Sequence, residues 1–388
     1  MIIFNQWYNE DMKKSLKPLL LITILSLTAC SNKPSEPVSP STIDSFESTT
    51  SEIEESESLS EETSELTNKD IFKMRNENSH LADSHFKNGF YLISPESTNQ
   101  YYETTLDYNG ERETDFYTES QYNTYWQMCQ WWTPFNFKDA TYKKVGNIHT
   151  YQNESRFFGI DTENGTLQMK LNSYTEYQEL YSGRRPGNAS WSHFLIQESI
   201  PADIALKCSD YNVNNDDEVK IKFDFRIDEC TFLGDKDNMT GSDCAQLMFY
   251  ILLYNYPPEG SNPEEVGKKG QRMWFGLPLY DSRYQTIPAY ASKDAGFDGA
   301  TNLLIYNIAN KLYLPQDGLE FHKTYSIDFN ILEYIREAFM YGSTNGFLPN
   351  CKWQNMYISY MNFGWELPGE FSVDSTLSNL DIYGIKNS

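Results

Sequence analysis

The sequence predicts an all-β sandwich for residues 120–388, and two observations support this fold class. Segments of alternating apolar and polar residues recur along this part of the chain, as in strands with one buried face. Turn signals such as Asn164-Gly165, Pro186-Gly187 and Asn345-Gly346 separate several of these segments. A single segment has helical spacing, so we expect one short helix that decorates the edge of the sandwich.

Residues 219–228 give the clearest strand, because Val219, Ile221 and Phe223 alternate with charged residues there. Residues 166–171 and 272–280 alternate in the same way. Further strands are predicted at residues 89–94, 155–161, 245–256, 301–308, 323–329, 356–365 and 376–385.

The predicted helix begins after Asn330, which can cap its N-terminus. Glu333 stands at the third helical position and Gly342 can end the helix. Its apolar stripe consists of Ile331, Leu332, Ile335, Ala338 and Phe339.

The first 30 residues have the pattern of an export signal. Lysines precede a short apolar run at residues 19–27, which is too short to span a membrane. The run ends in Leu27-Thr28-Ala29-Cys30, which resembles the lipobox of bacterial lipoproteins. The resemblance implies that Cys30 is acylated, that the lipid anchors the chain to the membrane or cell surface, and that the protein is extracytoplasmic. The alternative is an ordinary cleaved signal with an incidental cysteine.

Met12 is the more natural start of translation, because Glu10 and Asp11 would weaken a basic leader. Residues 31–70 contain 11 Ser and 9 Glu and carry few apolar side chains, so we expect a disordered tether. Residues 71–119 are predicted to be an N-terminal extension that packs on the sandwich domain of residues 120–388.

The net charge of the chain is −24, which argues against nucleic acid as the main partner. It also disfavours strong binding to anionic polymers unless Lys and Arg cluster locally. Five cysteines follow Cys30, at positions 129, 208, 230, 244 and 351, and this odd number excludes complete internal pairing. Cys230 and Cys244 flank a predicted hairpin loop and are the most favoured bridge, and no CxxC spacing indicates zinc.

The order of lipobox, acidic tether and long aromatic-rich β domain ending in Asn379-Leu380-Asp381-Ile382-Tyr383-Gly384 resembles surface lipoproteins with concanavalin A-like jelly rolls. The resemblance is architectural and covers residues 120–388. It implies a glycan partner, and it does not choose between binding and cleavage because the family includes lectin-like modules, glucanases and polysaccharide lyases.

Alternation selects the residues that could contact a glycan. Aromatic rings and amides suit sugars, which offer apolar C–H faces and hydroxyl groups, although most aromatic residues of a β protein belong to its core. On three predicted strands, polar and aromatic residues share the face opposite the aliphatic one, and we expect them to line one exposed concave groove. These residues are Trp191, His193, Gln197, Gln246, Tyr250, Arg272, Trp274 and Tyr280.

Arg184 and Arg185 are adjacent in a turn and could bind the carboxylate of a uronate sugar. The alternative is that they lie in a solvated loop or pair with local Glu residues. His193 could act as a general base or be structural. Asp210, Asn212, Asn214 and Asp216 alternate as oxygen ligands of calcium do, and a second oxygen-rich loop contains Asp235, Asp237, Asn238 and Asp243. Both loops have an ordinary Asx-turn interpretation, so no cofactor other than possible calcium is predicted.

Hydrolase motifs are missing from the sequence: Glu-x-Asp-x-x-Glu, Gly-x-Ser-x-Gly and His-Glu-x-x-His do not occur. Asp228, Glu229 and Glu366 are carboxylates without a partner that the sequence reveals, so catalytic residues stay unassigned. We therefore expect a lipid-anchored protein that binds glycan without cleaving it. The alternatives are a jelly-roll polysaccharide lyase or glycoside hydrolase, and an adhesion lipoprotein with a protein partner.

Overall fold

The computed structural model describes residues 79–81, 83–93, 95, 102–106, 126–187, 189–200, 205–256, 271–295 and 300–387. Within these residues two β-sheets pack face to face, so the predicted all-β jelly-roll sandwich is confirmed. The signal peptide, Cys30 and the tether lie outside the described residues, and they stay predictions.

One sheet has ten strands in the described part of the chain. They are β1 (Phe90–Ile93), β2 (Tyr102–Leu106), β3 (Trp126–Cys129), β8 (Ser192–Ser199), β9 (Leu206–Lys207), β11 (Gln246–Asn255), β12 (Arg272–Asp281), β13 (Tyr290–Lys293), β14 (Leu304–Asn307) and β16 (Met356–Leu367). Their order is β13-β14-β12-β11-β16-β8-β3-β1-β2, and β9 pairs with β16 beside this path. β1 and β2, which belong to the predicted N-terminal extension, are therefore strands of this ten-stranded sheet.

The other sheet has seven described strands. They are β4 (Thr141–Val145), β5 (Ile148–Gln152), β6 (Arg156–Asp161), β7 (Thr166–Asn172), β10 (Glu218–Phe232), β15 (Thr324–Asn330) and β17 (Phe371–Ile385). Their order is β15-β10-β17-β7-β6-β5-β4. The alternation predicted for residues 219–228 is present in β10, where every second side chain is buried.

Aromatic contacts join the two sheets. Phe223 of β10 stacks on Phe249 of β11, with ring centroids 5.0 Å apart. Trp365 of β16 donates from Nε1 to Ser375 Oγ of β17 at 2.8 Å, so this buried indole has its hydrogen-bond partner across the interface. Burial of one such aromatic side chain contributes about 1.5–3 kcal/mol, and the core between the sheets contains many of them.

The described residues contain two α-helices rather than the one predicted: α1 (Ser173–Tyr181) and α2 (Leu332–Thr344). Helix α2 begins at Leu332 with Ile331 at its N-cap, one residue later than predicted, so Glu333 is its second residue. Asn330 Oδ1 nevertheless accepts from Leu332 N. Gly342 does not end α2. It is buried instead against Leu348, and a Cβ there would approach Leu348 Cδ1 to 2.9 Å.

Cys230 and Cys244 are free thiols, so the disulfide that their spacing favoured is not formed. Burial raises the pKa of both thiols to about 12. Among the helices of the described residues, none is long and apolar enough to cross a membrane.

Candidate functional site

We define the outer face as the face of the ten-stranded sheet that points away from the seven-stranded sheet. Strand periodicity determines which residues reach it. On β16, Phe363 and Trp365 enter the core, so Asn362, Gly364 and Glu366 lie on the outer face. The pairing register then aligns the outer-face residues of neighbouring strands into rows that cross the sheet.

One row crosses eight strands and consists mainly of amide and tyrosine side chains. We call it the amide row: Tyr91, Gln127, Gln197, Asn362, Tyr250, Gly276, Asn307 and Tyr290. Each residue is the register partner of the next. The strands concerned are distant in sequence, so the fold alone brings these groups into line.

The middle of the amide row is buried and polar. Gln197 Nε2 donates to Gln127 Oε1, and both side chains are buried. Asn362 is 7% exposed, and its Oδ1 atom has no hydrogen-bond partner among the described residues. An acceptor left in this state costs about 1–3 kcal/mol, so Asn362 is suited to receive a hydrogen bond from a ligand hydroxyl group.

Gly276 allows two side chains of the amide row to approach the backbone of β12. A Cβ at this position would overlap Asn307 Oδ1 and would lie 2.6 Å from Tyr250 Cε1. Burial raises the pKa of Tyr250, so its hydroxyl group stays protonated and remains a hydrogen-bond donor.

Aromatic rings flank the amide row on one side. Trp274 of β12 lies with its ring centroid 6.0 Å from that of Tyr250 and 5.9 Å from that of Tyr360. All three side chains are half-buried. Rings that are partly exposed beside polar amides form a surface with apolar platforms and hydrogen-bonding groups together.

A second row of outer-face residues is separated from the amide row by one intervening apolar row. We call it the acid row: His193, Glu366, Gln246 and Asp281, each the register partner of the next. Glu366 Oε2 lies 3.6 Å from His193 Nε2 and accepts from Trp191 Nε1 at 3.2 Å. His193 Nδ1 is 2.7 Å from the carbonyl of Trp191 and must donate to it, because a carbonyl only accepts.

Burial shifts the pKa values of Glu366 and His193 in opposite directions. It raises the pKa of Glu366 to about 7, and the negative charge of Asp294 adds to the rise, whereas the Trp191 N–H opposes it. Burial lowers the pKa of His193 to about 4, with a further contribution from the positive charge of Arg156. Near neutral pH the pair therefore holds a neutral imidazole beside a carboxyl group that is about half protonated.

These two shifts predict opposite effects on stability, because stability falls with pH wherever the native state binds more protons. Glu366 retains its proton in the native state between about pH 4.5 and 7, so its contribution falls as pH rises through that window. His193 lacks its proton between about pH 4 and 6.5, so its contribution rises. Between pH 4.5 and 6.5 the two contributions cancel in the parent protein.

Glu366→Gln is thus expected to add a rising slope to the free energy of unfolding over this range, up to about 1.4 kcal/mol per pH unit. His193→Asn is expected to add a falling slope of similar size. Urea unfolding at pH 4.5, 5.5 and 6.5 measures both, with the exposed Glu154→Gln as the control. Slopes of the same sign in the two variants would contradict the assignment.

Trp131, which sequence reasoning did not select, covers an apolar part of the outer face. It packs against Ile93, Cys129 and Leu195, the register neighbours that lie between the acid row and the amide row. Its ring is T-shaped to that of His193, with the centroids 5.6 Å apart, while the ring of Trp191 stacks on the same imidazole, also at 5.6 Å. Two indoles therefore contact His193.

The structure brings most of the predicted groove residues together. His193, Gln197, Gln246, Tyr250, Arg272 and Trp274 lie on the outer face, and Trp191 lies beside it. The predicted exposure was wrong for His193 and Gln197, which are 7% and 1% exposed. Tyr280 does not lie on the outer face, and its inclusion was wrong. The β11–β12 register shifts between Leu247 and Met248, so Tyr280 pairs with the core residue Leu247 and its ring packs on Trp365, 6.2 Å away.

Both arginines predicted as uronate ligands are engaged within the fold. Arg184 forms an ion pair with Asp243 and donates to Asn238 O. Arg185 is buried and donates from Nε to Pro368 O at 2.9 Å, and its guanidinium lies 5.9 Å from the Trp191 ring. Arg185 thus supports Trp191 instead of presenting a cation to a ligand.

The two loops considered for calcium use several of their oxygens internally. Asn212 Oδ1 accepts from Asn214 N at 3.0 Å, and Asp216 has a left-handed backbone. In the second loop, Asp235 Oδ1 accepts from Asp237 N at 3.0 Å. In the described parts of the chain, no three His, Cys, Asp or Glu residues converge as a metal site would require. The calcium prediction itself stays untested.

Sequence reasoning missed Gln127, Asn307, Tyr360 and Asn362. The last two alternate with core residues of β16, so the alternation that selected Trp274 could also have selected them. Gln127 and Asn307 lie in strands of four residues, which are too short to show a clear period. Their place in the amide row depends on pairing with distant strands.

No protein-family model and no curated protein sequence matches the chain. Solved structures that it resembles include a family 12 xyloglucanase from Bacillus licheniformis, with 12% identity, 65% of this chain and 99% of that chain covered, and a TM-score of 0.37. Another is the endoglucanase cel12A from Rhodothermus marinus, with 10% identity, coverages of 64% and 96%, and a TM-score of 0.34. At these identities and scores the similarity assigns no role to any residue.

Proposed function

We propose that the outer face binds a polysaccharide, with the amide row as its hydrogen-bonding floor and Trp274 and Tyr360 as stacking platforms. The observation that carries this proposal is Asn362. Its buried Oδ1 has no partner among the described residues and lies in register between Gln197 and Tyr250. A sugar hydroxyl group can donate to this acceptor while its C–H face contacts a neighbouring ring.

The acid row favours binding over cleavage. Glycoside hydrolysis ordinarily needs two carboxyl groups, separated by about 5–9.5 Å, on either side of the bond. The register neighbours of Glu366 are His193 and Gln246, and neither is an acid. The next carboxylate in the row, Asp281, accepts from Arg283 and Gln246.

A glycoside hydrolase is the second candidate, and one observation favours it. The pKa of Glu366 is about 7, which is the property of a carboxyl group that donates a proton at neutral pH. The negative charge of Asp294 contributes to this rise. For a glycoside hydrolase, Glu366→Gln would abolish the release of reducing ends from a polysaccharide that the parent protein cleaves.

Attachment to a membrane through Cys30 is part of this proposal, and it rests on the sequence alone. Residues 1–78 lie outside the described part of the chain. A glycan-binding domain on a lipid anchor and an acidic tether would hold a polysaccharide near the surface of the cell.

Trp274→Ala is expected to weaken binding of the polysaccharide by tenfold or more, because it removes a stacking platform, and a tenfold change corresponds to about 1.4 kcal/mol. The ligand is found with a glycan array, and its affinity is then measured by calorimetry, with reducing ends assayed in the same samples. The control is Tyr174→Ala, which removes an exposed ring of α1 outside the outer face.

Equal affinity of the parent and Trp274→Ala would contradict the proposal, as would an equal loss in Tyr174→Ala. Asn362→Leu keeps the size of the side chain and removes the acceptor, so it is expected to weaken binding without disturbing the core. Failure of the parent to bind any glycan on the array would favour an adhesion protein with a protein partner.

A further inference from the structure

A third row of the outer face lies beyond Trp274 and Tyr360, and it contains cations. We call it the tyrosine row: Lys207, Tyr357, Tyr254 and Arg272, each the register partner of the next. Tyr256 joins it from the end of β11, with its ring centroid 4.7 Å from that of Tyr254 and 5.0 Å from that of Tyr357.

The two cations stand at opposite ends of this row, with the rings of Tyr357 and Tyr254 between them. Lys207 Nζ lies 6.0 Å from the ring of Tyr357 and 3.8 Å from Asp210 Oδ1. Both side chains of that ion pair are exposed, so water screens it and a ligand could exchange for Asp210 at little cost. Burial raises the pKa of Tyr256 to about 12, so its hydroxyl group remains a donor at neutral pH.

The sign of the charge therefore changes along the outer face. Glu366 and Asp281 lie in the acid row, whereas Lys207 and Arg272 lie in the tyrosine row. Glu366 lies nine positions after Tyr357 in β16, which is about 30 Å along a strand. In a chain of net charge −24, this row places two cations on the same face as the amide row, which favours contact with an anionic polymer there.

We propose that the tyrosine row binds an anionic substituent, a carboxylate or a sulfate ester, on the polysaccharide that the amide row holds. This inference rests on the proposed function and adds the class of sugar to it. Arg272 offers a planar fork to the anion, Lys207 offers a point charge, and the tyrosine hydroxyl groups donate from between them.

The experiment compares polymers that differ only in charge. Polygalacturonate and its fully methyl-esterified form share one backbone, and dextran sulfate and dextran form the second pair, so the two pairs distinguish carboxylate from sulfate. Full-length parent protein is expected to bind the charged member of at least one pair tenfold or more tightly than the neutral member. Lys207→Gln and Arg272→Gln should reduce that ratio at least threefold.

Lys143→Gln is the matched control, since it removes one exposed positive charge from the edge strand β4 of the other sheet. It should leave the ratio unchanged, while Trp274→Ala should weaken binding of charged and neutral polymers alike. Equal affinity for charged and neutral members, with Trp274→Ala still impaired, would overturn the anionic subsite and leave the proposed function standing. Binding of none of these polymers and of no glycan on the array would overturn both.

Discussion

Glu176→Ala is expected to lower the free energy of unfolding by about 3–5 kcal/mol, because it leaves the Arg156 guanidinium buried without a counter-ion. Both side chains are fully buried, and Arg156 Nε lies 2.7 Å from Glu176 Oε1. Thr133 and Ser155 also donate to this carboxylate, each at 2.8 Å. Urea unfolding at neutral pH measures the change.

The exposed ion pair between Lys323 and Glu320 provides the control, and Glu320→Ala should cost less than about 1 kcal/mol. The double variant Arg156→Met/Glu176→Leu should be more stable than Glu176→Ala alone, because no charge is left buried. If the double variant is as unstable as the single variant, lost packing explains the cost and the unpaired charge does not.

Gly364→Ala is expected to cost about 3 kcal/mol, because the new methyl group would meet backbone atoms that cannot rotate away. A Cβ at Gly364 would overlap Phe194 O and would lie 2.8 Å from Leu195 Cα on β8. The position also has φ +150°, which side chains rarely adopt. Relief of the overlap would require β16 to move away from β8. Because both the acid row and the amide row cross from β8 to β16, each row would be interrupted at that point.

Gly183→Ala separates the two causes, because Gly183 has φ +151° and nothing within 4 Å of its Cβ position. The loss of free energy of unfolding in Gly183→Ala therefore measures the cost of the unfavourable backbone conformation alone. Chemical unfolding of both variants gives the difference, which we assign to the contact between β16 and β8. Equal destabilisation at the two positions would show that the overlap contributes nothing.

Periodicity predicted the faces of single strands, and this was enough for the fold class and for most of the groove residues. A period of two is a local property, so Tyr250 and Trp274 could be placed on a polar face without knowledge of their neighbours. The β-bulge that turns Tyr280 inward depends on the pairing of β12 with β11, and nothing in the residues around Pro278 signals it.

Helix α1 and the two arginines show a second limit of prediction from the sequence. Helix α1 follows β7 directly, with Asn172 as its cap. Its buried residues include Glu176, whose partner Arg156 belongs to β6. Arg184 and Arg185 were judged by their position in a turn, whereas their partners, Asp243 and Pro368, are distant in sequence. Contacts of this kind cannot be inferred from local spacing.

The length of the amide row determines how many sugar units of one polysaccharide chain could contact it. Adjacent strands lie about 4.8 Å apart, so the seven steps from Tyr91 to Tyr290 span about 34 Å. A free sugar could occupy only a small part of that span, whereas each unit added to a chain would gain contacts until the row is filled. Under the proposed function, the outer face would therefore bind long polysaccharides in preference to monosaccharides.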